Sequence, residues 1–433
     1  MQPRSRSRLG NGLWLLSASR APETGAQSDL QIGAQMTSSI RDRLKAATSM
    51  WSTYILVLAF TVFSISLGQG LLNAASTNFF VNDLGLSGRQ VLWMAGIREI
   101  PGLILVFIAA LIMRIPLSRR AAYSLLLMGV GYCLHAAVNS YIALLAAALL
   151  ASLGFHNWLP LQSTLGFALT EKAHSGRVMG FLSSIGALAS IVGMGLTALL
   201  AKALPLRAFF IVGGVLIALG GLLVARIPIH IGEQKQAQPR ILLKKRYWLY
   251  YVLTFFEGSR TQVFGAFGTL VLVQSYGLNA QQISLLLVTS AVVNFVLAPT
   301  IGRLLDLVGE RLTLTISYVL LALCFVGYAT VHNVWFLCGM LIGINLLVTL
   351  SIGLSTYVNR IAPPDELGPT LSAGVSINHI TSVTMSLLAG TLLSLVGYEK
   401  LCWGAAGVIM LSVPFALAIR VTAAPVMEAQ AAG

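Results

Sequence analysis

Four charged residues lie inside otherwise apolar stretches of the chain, Glu257 with Arg260 and Arg98 with Glu99. A charge held at lipid depth is costly and faces the interior of a helix bundle, where it pairs, binds a polar solute or relays protons. Glu257 and Arg260 are spaced i, i+3 and so share one helical face, with Gln262 near the same level. Counted from Tyr247, Glu257 lies about 15 Å deep at ~1.5 Å per residue, near the middle of a hydrocarbon core about 30 Å thick. Two readings stay open for this pair: a site for solute and protons, or two charges that neutralise each other so that the helix inserts. Gly258, Gly265 and Gly268 soften the same helix.

The second pair is followed at once by Ile100-Pro101-Gly102. Adjacent residues point about 100° apart on a helix, so Arg98 and Glu99 cannot face one cavity together, and one must meet a neighbouring helix. Pro101 removes a backbone donor and predicts a kink. This constellation reads as a latch between helices or bundles in preference to a substrate clamp. His156, in Phe155-His156-Asn157-Trp158, and His379, beside Asn378, are intramembrane imidazoles that either bond locally or change charge near neutral pH. A packing or hydrogen-bonding role is expected for His379. Asn78, Asn294 and Asn345 read as glue between helices, and Asn73 as a cavity residue.

Elements able to position these groups must be membrane helices. Of 433 residues, 56% are hydrophobic and only 10% charged, too little polar surface for a soluble globule. Apolar stretches of roughly 20 residues recur along almost the whole chain, and strand-like alternation is absent. Twelve spans are expected near 52–75, 89–113, 120–138, 141–169, 176–201, 207–225, 248–275, 282–304, 312–331, 334–360, 369–395 and 399–420. The polar connection Arg226–Arg246 divides them into six plus six. The resulting parts are a lead-in 1–47, a first bundle 48–226, a central loop 227–246, a second bundle 247–421 and a tail 422–433.

Basic residues crowd alternate connections. Arg41, Arg43, Lys45, Arg114, Arg119, Arg120, Lys172, Arg177, the run Arg240 to Arg246, Arg303, Arg311, Arg360 and Arg420 lie on one side, whereas the other has only Arg89, Lys202, Arg207 and Lys400. Cytoplasmic loops retain Lys and Arg, so both termini are expected in the cytoplasm and the protein in the cell's inner membrane. The net charge of +14 then reflects topology, and nucleic acid is not an expected partner. Trp51, Trp248, Tyr247 and Trp403, near span ends, read as interfacial anchors.

Between two apolar runs stands Ile301-Gly-Arg-Leu-Leu-Asp-Leu-Val-Gly-Glu-Arg-Leu312. Its Gly302, Asp306, Gly309 and Arg311 resemble the Gly-x-x-x-Asp-x-x-Gly-x-Arg loop signature of the major facilitator superfamily. The carboxylate is expected to pair with Arg303 or Arg311 and to act in gating. An offset of 192 residues relates Gly176 to Gly368 and Ser184 to Ser376, as parallel six-helix repeats require. In the first repeat the cassette has decayed, with Ala110 at the position of Gly302 and Arg114 at that of Asp306. The resemblance implies an all-α membrane fold of two pseudo-symmetric six-helix bundles, with span seven and His156 facing a central cavity. Span four lacks the arginine, and span five the Gly-Pro pair, of the superfamily's proton-coupled drug exporters.

Residues 1–35, rich in Arg and Ser, read as disordered. They are either an organellar leader or, preferably, an overlong reading frame preceding Met36. Cys133, Cys324, Cys338 and Cys402 lack metal or disulfide spacing, and His135, His174, His230 and His332 fall near span ends or loops. Nucleophile elbows and phosphate-cradling loops are missing, so neither an enzyme nor a nucleotide-driven pump is expected, and no cofactor or metal. The expected function is secondary active transport of a small solute by a monomer, coupled to protons, with export favoured over import. The alternative is a transporter-shaped scaffold or sensor that no longer transports.

Overall fold

The structure, a computed structural model, describes residues 52–171, 174–232 and 243–420, and for 106, 109, 110, 261–264, 364 and 365 the backbone alone. The lead-in 1–47 with Met36, Trp51, Lys172, residues 233–242 of the central loop and the tail 422–433 lie outside the described residues. Among the described residues, seven continuous helices are long and apolar enough to cross a membrane. Two of them cannot be single spans: 51 residues of straight helix would run about 77 Å, more than twice the hydrocarbon thickness. Each of these two turns at a glycine of φ 80°, Gly309 within Ala280–Thr330 and Gly397 within Pro364–Leu417.

Separating those arms gives nine, and the broken span two with the helices Leu117–His135 and Trp248–Gln274 brings the described residues to twelve spans. Span one is Thr53–Asn78, prolonged by the π-turn Phe79–Asp83. Span two is broken into Gly88–Ile97, Ile100–Leu103 and Leu105–Ile112. Spans three to six are Leu117–His135, Tyr141–Ala168, Ser175–Leu200 and Leu206–Val224. Span seven is Trp248–Gln274, and spans eight and nine are the arms of Ala280–Thr330. Span ten is Val334–Thr349 continued by Ile352–Ile361, and spans eleven and twelve are the arms of Pro364–Leu417. The protein is an all-α, multi-pass integral membrane protein.

The internal repeat is visible in local geometry at the same 192-residue offset. Gly85 (φ 63°) and Gly277 (φ 69°) each close the turn after the first span of a half, a left-handed conformation that glycine adopts without strain. Ser87 and Asn279 then cap the next helix through reciprocal bonds with Gln90 and Gln282, satisfying amides that a helix start leaves unpaired. Thr77 and Thr269, also so related, meet hydroxyl to hydroxyl at 3.0 Å. Equivalent residues in direct contact lie on the pseudo-twofold axis between the bundles.

The bonds that cross between bundles occupy the half of the molecule away from the basic connections. Asn78 donates its amide to the Leu278 carbonyl at 2.8 Å, and the Trp93 indole donates to the Leu387 carbonyl at 3.0 Å. Here asparagine is the glue the sequence predicts, and Asn345 repeats it within the second half by donating to Ser290 at 2.9 Å. On this far side the two bundles are joined. At the basic side, large apolar residues at the ends of spans two, four and eight, among them Leu111, Phe167 and Leu307, are exposed.

Candidate functional site

Span two loses its helix at the charged pair. The helix Gly88–Ile97 ends, Arg98 and Glu99 form a turn, and one helical turn with Pro101 at its start follows before a second break at Ile104. Proline at the first helical position has no amide to leave unpaired, whereas farther inside it would break the backbone ladder. The turn exposes the Arg98 carbonyl, which accepts the hydroxyl of Ser152 in span four. It also sends the two side chains apart: that of Arg98 stays 46% exposed, that of Glu99 only 6%.

The Glu99 carboxylate joins the two bundles. Its Oε2 lies 3.3 Å from Nε2 of His156 in span four and 3.1 Å from Nδ1 of His379 in span eleven. Of the Arg98–Glu99 pair it is Glu99 that makes the contact between the bundles, through the imidazole of His379. Arg98 is not buried. Glu99 is eleven residues beyond Gly88, about 16 Å of helical rise, close to the middle of a membrane about 30 Å thick.

The hydrogen atoms in this cluster can be counted. Nδ1 of His156 has two neighbours, the Ser152 carbonyl at 2.9 Å and the Ser152 hydroxyl oxygen at 3.0 Å. The carbonyl only accepts, and the hydroxyl already gives its proton to the Arg98 carbonyl. Nδ1 must therefore carry a hydrogen. A neutral His156 would then turn a bare Nε2 lone pair toward a carboxylate oxygen, so the contact requires a cation between them. Arg98 Nε stands 3.8 Å from the other carboxylate oxygen. That fixed positive charge works against a divalent metal and leaves a proton as the cation that fits.

Gly102 permits this arrangement, because a Cβ there would lie 2.5 Å from His156 Cδ2 and 2.7 Å from His379 Cε1. The two imidazoles stand edge to face at 5.1 Å. Gly102 is a functional position that sequence reading quoted without assigning it a role.

Beside the cluster, within the first bundle, lies a cavity of about 190 Å³. Arg98, His156 and Asn73 line it together with Gln69, Ser76 and Tyr132, so three residues singled out from sequence meet there. His135, expected near a solvated span end, is instead buried and stacked on Phe210 at 5.3 Å, where it lines the same cavity.

Glu257 and Arg260 are placed elsewhere. They form the expected ion pair on one helical face, but it is sealed within the second bundle, with Arg260 lying 4.1 Å over the ring of Tyr318 in span nine. Glu257 is 7% and Arg260 4% exposed. Arg260 also borders a largely apolar cavity of about 170 Å³ among spans seven, nine, eleven and twelve. Neither residue lines the cavity of the first bundle, and the side chain of Gln262 lies outside the described ones. Of the two readings left open for this pair, the burial and the ion pair fit mutual neutralisation inside the second bundle. A four-carbon or shorter side chain reaches the helix its face meets, and here that helix is span nine.

The cassette is also rearranged. Gly302, Arg303 and Asp306 lie on the exposed end of span eight, Gly309 forms the turn and Arg311 opens span nine. Among the described residues neither Asp306, Arg303 nor Arg311 takes part in an ion pair; the buried acid is Glu310, 2.7 Å from Arg360 at the end of span ten. Glu310 follows the turn directly, in the first turn of span nine, where the helix dipole favours an acid. That position was the signal sequence reading missed.

Ahead of the apolar stretch of span eleven, in the first turn of its helix, Glu366 gathers Lys244 at 2.8 Å, Arg246, and the Tyr247 hydroxyl at 2.8 Å. These donors hold its carboxyl at about 2, below the usual range. Tyr247, expected as an interfacial anchor, is buried in this bond, whereas Trp248 and Trp403 remain exposed.

Twelve helices in two repeats around a midplane polar site define a membrane transporter, and the sequence carries the same conclusion. The model of the Major Facilitator Superfamily matches residues 58–258 and 249–433, and the chain belongs to that superfamily. No curated protein sequence gives a significant match. Among solved structures, the nucleoside transporter NupG is similar at a TM-score of 0.69 with 15% identity, over 85% of this chain and 99% of that one. A D-xylose-proton symporter is similar at 0.68 with 14% identity, over 86% and 99%. The human organic anion transporter MFSD10 is similar at 0.55 with 14% identity, over 84% and 100%. At these identities the likeness shows the fold.

Proposed function

We propose that the protein is a proton-coupled secondary transporter that moves a small solute by alternating access, with Glu99, His156 and His379 as its proton site. The observation that supports this reading is the forced hydrogen count at His156: with Nδ1 committed to Ser152, the contact with Glu99 exists only while an extra proton is held. Loss of that proton leaves a lone pair against a carboxylate 3.3 Å away, a repulsion at the point where the second bundle attaches through His379. Proton release and separation of the bundles are thereby tied to one carboxylate.

The crowding of basic residues favours a cytoplasmic position for the basic side, and in this reading the side on which the bundles are joined faces outward and the conformation is closed to the outside. The cell membrane, cytoplasmic termini and a monomeric state complete the reading. Proton coupling also accords with one similar structure, that of a D-xylose-proton symporter. A scaffold would have no use for a protonated cluster at the midplane, where ionisable groups are costly to keep.

The test is accumulation in proteoliposomes under an imposed pH gradient, across a panel of nucleosides, pentoses and small organic acids. The wild-type protein should concentrate at least one class. Glu99→Gln, which keeps the shape but cannot cycle a proton, should equilibrate the same solute without concentrating it. Undiminished accumulation by Glu99→Gln would overturn the proton site.

A further inference from the structure

We infer that the cavity beside the proton site takes a small organic anion, a monocarboxylate with a flat ring, whose charge is held by Arg98. This deepens the transport reading and rests on it for the claim that the occupant is cargo. The guanidinium has donors that the protein leaves unmet. Its nearest carboxylate oxygen, Oε1 of Glu99, is 3.8 Å away, beyond the 2.7–3.2 Å of a direct N–H···O bond. Oε2 of the same group is engaged by two imidazoles. The Arg98 side chain is nearly half exposed and borders the cavity, whose lining contains no acid. A guanidinium keeps its charge at any physiological pH and presents a planar fork that matches a carboxylate. At mid-membrane depth, such a group with open donors calls for an anionic partner.

The other walls limit what is attached to that anion. Phe155, Phe210 and Tyr132 supply aromatic surface, which favours a flat body. Gln69, Asn73 and Ser76 supply neutral donors and acceptors, and the proton held at His156 is matched by Glu99, so Arg98 is the one positive charge left for a ligand and a second negative charge would be left unpaired. Nδ1 of His135 contacts the Gly131 carbonyl at 2.8 Å and must donate to it, which leaves Nε2 an acceptor and suits a ring bearing a hydroxyl or N–H group.

The test is thermal stabilisation of the purified full chain by benzoate and 4-hydroxybenzoate, compared with benzamide, benzyl alcohol and benzylamine, which change the charge while keeping the ring. The carboxylates should stabilise the wild type and the others should not. Arg98→Gln should weaken carboxylate binding by roughly tenfold or more, the loss of a charge-assisted bond, and Arg98→Lys should retain part of it. If Arg98→Gln does not fold, the wild-type comparison of benzoate with benzamide still decides. Equal stabilisation by benzamide, or carboxylate binding that survives Arg98→Gln, overturns the inference. Gradient-driven accumulation of a neutral nucleoside or pentose with no response to carboxylates overturns it too, while leaving the transport reading intact. Carboxylate binding that depends on Arg98, with no transport of any solute, supports the anion site and removes the transport reading instead.

Discussion

Replacing Gly102 with alanine adds one methyl group at the point where the two bundles are tied. The new Cβ would lie 2.5 Å from His156 Cδ2, 2.7 Å from His379 Cε1 and 2.8 Å from His156 Nε2, against a comfortable carbon–carbon separation of about 3.5–4.0 Å. One ring must retreat by roughly 1 Å. His156 is held at Nδ1 by Ser152, so His379 is the ring that gives way. Its bond to Glu99 is 3.1 Å long, and a shift of that size carries it past the limit of a hydrogen bond. Bonds to charged groups are worth about 1.5–3 kcal/mol. Since this one exists only with the far side closed, its loss should shift the conformational equilibrium toward opening by about ten- to a hundredfold and spare the fold. Spin labels at Lys202 and Lys400, in far-side loops of the two halves, would report the change as a longer distance population. An unaltered distance distribution in a well-folded Gly102→Ala protein would refute the claim that this contact holds the far side shut.

Arg260→Ala should cost about 3–5 kcal/mol in unfolding stability by taking the guanidinium from the buried Glu257 carboxylate, whereas Glu257→Gln in reconstituted protein should leave gradient-driven accumulation in place, because the pair is sealed from the central site. Arg360→Ala should destabilise by a similar amount through Glu310, which is 2% exposed; Asp306→Asn, at an exposed position, should stay within about 0.5 kcal/mol in the same thermal unfolding measurement. The Glu366 carboxyl is depressed to about 2, so its contribution is present above the unfolded value of about 4.3 and fades only as pH falls through the folded one. Hydrogen exchange around Tyr247 should therefore stay protected down to about pH 3.5, and Glu366→Gln should lose that protection at every pH.

The spans were legible because lipid imposes length and apolarity on each segment separately. Span seven, expected at 248–275, is the helix Trp248–Gln274. Span three, expected at 120–138, is displaced to Leu117–His135 because Pro116 fixes its start and the turn into Ser140 takes the residues beyond. Pairing was legible only where it is local: Glu257 and Arg260 are three residues apart, and their ion pair follows from helical periodicity. Glu99 and His379 are 280 residues apart, and no spacing rule brings them together. The sequence does place each of them near mid-membrane, so depth was readable and azimuth was not. The cassette failed in the opposite way. Its spelling suggested that Asp306 pairs with a neighbouring arginine, yet at a helix end an exposed acid has water for company, and the buried partner of the basic residue on span ten is Glu310.

The two repeats share their turns but not their chemistry. At the 192-residue offset, the counterparts of Arg98, Glu99 and His156 are Ser290, Ala291 and Val348. The first bundle thus carries the guanidinium, the carboxylate and one imidazole, while the second contributes His379 alone. Within the cluster, rocking the second bundle away would remove only the His379–Glu99 bond and leave the cavity and the Glu99–His156 contact whole. This division predicts a specific non-additivity. His379→Ala deletes the same bond that Gly102→Ala displaces, so each alone should open the far side to a similar degree. The double variant should open it no further, with a coupling energy about equal to either single effect. The Lys202–Lys400 distance populations give all four corners of that cycle. Shifts that multiply in the double variant would mean that Gly102 acts through a contact other than the one between His379 and Glu99.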